Sequence, residues 1–72
     1  MIDLKLLEYY IIMSGQKYKE VARKIGITYQ GLRKKLDGKS EFTVTEINAL
    51  CEVLELNDDD TKIKIFFAEK CD

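Results

Sequence analysis

Glu20-Val21-Ala22-Arg23-Lys24-Ile25-Gly26-Ile27-Thr28, with Leu32 four residues further on, is the stretch that decides how this chain folds. Two short helices that cross steeply need a small residue where they touch, a glycine in the turn between them and aliphatic side chains plugging both sides. Ala22 supplies the small residue and Gly26 the turn, because glycine takes the positive-φ conformation of a sharp helix exit without steric penalty. Val21 and Ile25 before the turn, and Ile27 and Leu32 after it, supply the plugs.

The periodicity extends outward from this centre. Lys17 to Ile25 reads as one helix, with Tyr18, Val21, Ala22 and Ile25 on one face. Thr28 is a natural N-cap for a following helix that runs to Leu36 or Asp37, with Leu32 and Leu36 pointing inward and Asp37-Gly38 closing it. Upstream, Ile2 to Met13 is amphipathic, with Leu6, Leu7, Tyr10, Ile11 and Met13 near the helical period and Ser14-Gly15 as its stop. Downstream, Thr43-Val44-Thr45-Glu46 has the form of a capping box, so a fourth helix starts at Val44, and its stripe of Val44, Ile47, Leu50, Cys51 and Leu54 carries it to Asn57. Asp58-Asp59-Asp60 suits the N-terminus of a fifth helix, whereas Thr61-Lys62-Ile63-Lys64-Ile65 alternates as a strand does. A helix is the first expectation there; an extended segment pairing across a dimer is the alternative.

The composition sets bounds on what such a chain does. With 72 residues, the chain is expected to form a single domain over residues 1–72. It has no histidine, no activated-nucleophile arrangement and too little chain to wall a pocket from water, which argues against an enzyme and against a small-molecule ligand. No cofactor or metal is expected: the glycines lie singly rather than in a phosphate loop, and consecutive aspartates do not aim their carboxylates at one centre. The apolar run Tyr9 to Met13 is far short of the ~18 residues of a membrane span, so neither a signal peptide nor a membrane segment is expected. Cys51 and Cys71 read as a buried thiol and a free tail thiol in a reducing cytoplasm. The pair Phe66-Phe67 reads as core or dimer interface rather than a stacking platform for bases.

A formal net charge of −1 conceals a segregation. Gln16 to Ser40 holds eight basic and two acidic residues, a net of +6, whereas Glu41 to Asp72 carries −6. A basic stretch of this kind suits an anionic partner, although a solvated lysine-rich face gives the same count. The face of the third helix directed away from Leu32 and Leu36 is Tyr29, Gln30, Arg33 and Lys34, a set of hydrogen-bonding and cationic groups. Gln30 can pair bidentately with adenine, and Arg33 or Lys34 can donate to guanine O6 and N7 in the major groove. Tyr29 can pack against a thymine methyl, while Lys39, Ser40 and the amides at the Thr28 helix start can hold phosphate.

Glu20 to Thr28, continued through Leu32 to Asp37-Gly38-Lys39-Ser40, resembles the phage repressor and Cro type of helix-turn-helix domain, the XRE family, over nearly the whole chain. The resemblance implies an all-α fold of five helices like that of the lambda repressor, whose third helix enters the major groove, and a homodimer on a pseudo-palindromic operator. It implies a cytoplasmic transcriptional regulator of phage or mobile-element descent. By position, it implies that Tyr29, Gln30 and Lys34 face base edges with Arg33 nearby, and that Tyr18, Thr28, Lys39 and Ser40 lie near phosphates of double-stranded DNA. Two positions depart from the family pattern: Tyr18 stands where many members have glutamine, and Lys35 where many have an aliphatic residue. The alternative function is a helix-turn-helix fold that binds a protein partner, as an antitoxin or antirepressor does, without binding DNA. Gly31 is unusual inside a helix, where it costs about 1 kcal/mol relative to alanine; close approach to the second helix or to DNA is the expected reason.

Overall fold

A computed structural model of the chain describes residues 2–67 and is all-α, with the order α1 (Leu4–Met13), α2 (Tyr18–Ile25), α3 (Tyr29–Leu36), α4 (Val44–Val53) and α5 (Asp59–Phe66). Most helix starts are fixed by a side chain that accepts from an otherwise unpaired amide. The Asp3 carboxylate accepts from the Leu6 N–H at 3.1 Å, so α1 begins at Leu4 rather than at Ile2. Thr28 accepts from Gly31 N–H at 3.0 Å, and Thr43 and Glu46 form the reciprocal capping box expected of them. At α5 the Asp58 carboxylate accepts from both the amide and the hydroxyl of Thr61, and these bonds, the hydroxyl's foremost, hold it below the usual aspartate pKa. That cap decides the segment from Thr61 to Ile65 in favour of a helix, and the extended alternative is not adopted.

Three helices end in one device, in which a residue one or two positions past the helix turns left-handed and the next N–H reaches back five residues. Ile27 donates to Ala22 O at 2.9 Å after Gly26, Lys39 to Lys34 O at 2.9 Å after Gly38, and Leu56 to Cys51 O at 2.8 Å after Glu55. The third case corrects the expected length of α4, which stops at Val53 instead of continuing to Asn57. Glu55 adopts φ 54° without being a glycine. The gain that offsets this strain is Leu56, which the turn buries to 7% exposure beside the core.

The core draws on every helix: Leu7 and Ile11 from α1, Val21, Ala22 and Ile25 from α2, Leu32 and Leu36 from α3, Leu50 from α4, and Ile65 and Phe66 from α5, with Phe42, Leu54 and Leu56 from the connections. α2 packs on α3 and α4, and α1 on α3 and α5. The chain start is tied to α5, since Asp3 N–H donates to Ile65 O at 2.7 Å. Gln16, just before α2, bridges to the far end of α4: its amide donates to Val53 O at 3.0 Å and its carbonyl accepts from Lys24 at 2.7 Å.

Several apolar side chains lie elsewhere than periodicity suggested. Met13 and Val44 are exposed, at 64% and 75%, because each sits at a helix end beyond the reach of the packed faces. Cys51 is half-buried with a free thiol, which burial pushes above its ordinary pKa against the opposing pull of Lys62. Phe66 is buried and Phe67 exposed; Cys71 lies outside the described residues. The strain at Glu55 is open to test: Glu55→Gly should raise unfolding stability by about 0.5–1 kcal/mol in urea melts, since glycine removes the Cβ penalty of a left-handed residue. A drop in stability would show that the turn is not strained.

Candidate nucleic-acid interface

Burial of Leu32 and Leu36 against α1 and α2 leaves the opposite face of α3 outward. Tyr29 is 41% exposed, Gln30 and Lys34 are exposed, and Arg33 is partly covered. Gln30 and Lys34 stand one turn apart on this face, as do Tyr29 and Arg33. Thr28 has an extended backbone with φ −78° and ψ 161°, and its hydroxyl caps the start of α3 by accepting from the Gly31 N–H. Lys39 and Ser40 are exposed in the turn that leaves the C-terminal end of α3. Tyr18, the first residue of α2, is half-buried, and the Arg33 guanidinium lies over its ring at 5.4 Å from the centroid. The structure thus brings Tyr18 and Arg33 together across the turn, and places Lys39 and Ser40 separately at the other end of the helix.

Gly31 is close to Thr28, not to α2: a Cβ there would meet the Thr28 hydroxyl oxygen at 3.1 Å. The glycine therefore leaves room for the cap of its own helix, which corrects the expectation that the second helix demanded it.

The basic residues sort into paired and unpaired sets. Arg23 bonds Glu20 at 2.8 Å on the surface, and that hydrogen bond, with the attraction behind it, lowers the Glu20 pKa and raises that of Arg23. Arg33 approaches Asp37 at 3.4 Å. Lys35 turns away from the outer face and inserts between α3 and α4, donating to Glu41 O at 2.7 Å and to the Glu46 carboxylate at 2.8 Å beside the Phe42 ring. Among the described residues, no ion pair takes Lys17, Lys19, Lys34 or Lys39. The Lys35–Glu46 bridge, with both side chains almost 90% covered, had no local signal in the sequence beyond a cation in an aliphatic slot. Its partner stands eleven residues away and reads first as a capping-box residue.

A family model for the Cro/C1-type HTH DNA-binding domain matches residues 7–60. The chain belongs to this family. No curated protein and no solved structure matches it. The part of the chain matched by the Cro/C1-type domain runs from Leu7 in α1 to Asp60 in α5, so it contains the entire outer face of α3 and the turn at Gly26. Among the described residues of this Cro/C1-type domain, no group of histidine, cysteine or carboxylate side chains is arranged to hold a metal ion, and no helix is long and apolar enough to cross a membrane.

Glu46 couples this geometry to pH. Burial works against ionisation of its carboxyl, but the Lys35 ammonium and the Thr43 N–H outweigh it and hold the group below its ordinary pKa of 4.5. A carboxyl whose pKa is lowered on folding contributes stability that is complete above the ordinary value and is lost as pH falls through the folded one. Glu46→Gln keeps an acceptor for the cap and removes the charge. It should be less stable than the wild type by about 1 kcal/mol near neutral pH, with the gap closing as urea melts are taken below about pH 4. A gap that stays constant would assign the whole effect to something other than this ion pair.

Proposed function

We propose that the 72 residues act as one sequence-specific DNA-binding domain of a transcriptional regulator, which lays α3 in the major groove of an operator. The observation that carries this reading is the outer face of α3, which presents Tyr29, Gln30, Arg33 and Lys34 while its inner face is locked into the core of a Cro/C1-type domain. Gln30 reads adenine through its amide, Arg33 and Lys34 read guanine, and Tyr29 packs on a thymine methyl. Tyr18, Thr28, Lys39 and Ser40 hold the phosphates on either side. Thr28 also contributes the open amides of the helix start, where an anion is favoured by the helix dipole.

The reading includes a homodimer. Its two recognition helices enter successive major grooves about 34 Å apart on a pseudo-palindromic site. Occupancy of the operator blocks or guides polymerase, as in a repressor or Cro-like regulator of phage or mobile-element descent working in the cytoplasm. The −6 charge of Glu41 to Asp72 keeps that part of the chain off the DNA and orients the basic third toward it.

Fluorescence-anisotropy titrations with a random DNA pool and with the DNA flanking the gene, at two salt concentrations, test the proposal. Selective binding that weakens steeply with salt is expected. Lys34→Ala should lower operator affinity roughly tenfold and relax selectivity at one position, whereas Lys39→Ala should weaken all sequences alike and reduce the salt slope by about one. No binding at low salt by the folded protein would favour the protein-partner alternative instead.

A further inference from the structure

Arg33 is held differently from its neighbours on the outer face of α3. Among the described residues, no side-chain hydrogen bond or ion pair engages Gln30 or Lys34. The Arg33 side chain, 36% exposed, has its guanidinium carbon over the Tyr18 ring at 5.4 Å from the centroid and one terminal nitrogen 3.4 Å from the Asp37 carboxylate. These two partners come from either side of it, the start of α2 and the end of α3.

The two contacts have different strengths and different consequences. The cation–π contact with the ring uses no N–H donor in a hydrogen bond to an oxygen, so the guanidinium keeps the forked donors that fit a bidentate acceptor. The 3.4 Å contact to Asp37 is longer than the roughly 2.7–2.9 Å of a strong charge-assisted hydrogen bond, so a better acceptor displaces it readily. A carboxylate beside the guanidinium also repels phosphate, which an uncharged base edge does not experience. A side chain already held by the ring and the carboxylate loses less rotamer freedom when it binds.

We propose that Tyr18 is a positioning residue that presents the Arg33 guanidinium edge-on to guanine, with Asp37 as the displaceable counter-ion that keeps it from binding phosphate indiscriminately. The inference rests on the DNA-binding reading above and goes beyond it in assigning Tyr18 a role in base preference in addition to any phosphate contact. The departure of Tyr18 from the family's usual glutamine then has a physical meaning, since glutamine offers no aromatic face to a cation.

Binding of the full chain to an operator and to its single base-pair variants, measured for wild type, Tyr18→Phe, Tyr18→Leu, Arg33→Met and Asp37→Asn, tests this. Circular-dichroism melts accompany each variant, and Leu keeps apolar bulk at a side chain that packs on the core. Arg33→Met should erase a preference for guanine at one position of each half-site. Tyr18→Phe should retain that preference, and Tyr18→Leu should reduce it about two- to fivefold while leaving the other positions unchanged. Asp37→Asn should strengthen binding to non-operator DNA. If Tyr18→Leu lowers affinity for every base equally, or Tyr18→Phe loses as much as Tyr18→Leu, the positioning role is overturned while the regulator reading stands. Absence of selective binding by the wild type overturns both.

Discussion

The bond from Ile27 N–H to the Ala22 carbonyl, closed at 2.9 Å across the left-handed Gly26, sets the angle at which α3 leaves α2, and the outer face of α3 inherits its direction from that angle. An eight-residue helix has no stability of its own in water, because nucleation outweighs the few hydrogen bonds it can form. α3 exists because Leu32 and Leu36 are fully packed and Thr28 caps it. Gly26 makes the packing possible, since space around it is open and only its φ of 84° demands glycine. The turn, the cap and the two leucines therefore act as one unit.

The features legible in the sequence are those with short-range causes. Gly26, the Thr28 cap and the Thr43–Glu46 box each involve residues within five positions, and each is found where the chain's chemistry places it. The end of α4 was not legible, because Glu55 carries no preference for a left-handed backbone; the turn follows from burying Leu56, a tertiary gain. The outer face of α3 was legible as a set of residues but not as an arrangement. Tyr18 over Arg33 and Lys35 onto Glu46 join residues eleven or more positions apart, and periodicity carries no information on such pairs. Alternation in Thr61 to Ile65 pointed two ways until the Asp58 cap decided it.

Lys35 shows how a departure from a family's usual residue is absorbed. A lysine in an aliphatic slot buries its methylene stem and must find partners for its ammonium. Glu41 O and the Glu46 carboxylate supply them at 2.7 Å and 2.8 Å, and no buried polar side chain among the described residues is left without a partner. The same Glu46 oxygen accepts from the Thr43 amide at 2.9 Å. One carboxylate thus joins the start of α4 to the side of α3, and the connection carrying Lys39 and Ser40 is held between them.

The placement of charge on α3 follows from this. Arg33, Lys34 and Lys35 are consecutive cations on one short helix, and their mutual repulsion opposes folding unless it is relieved. Relief comes sideways: Arg33 leans to Tyr18 and Asp37, and Lys35 to Glu46. Both also sit near the helix C-terminus, where the dipole favours positive charge. Lys34, between them, is the α3 cation for which no carboxylate partner exists among the described residues, so its charge is projected outward beside Gln30. With Lys35 drawn inward and Arg33 tethered at its side, Lys34 is left as the one uncompensated α3 cation on the outer face, a distribution that suits a partner combining an anionic backbone with neutral base edges.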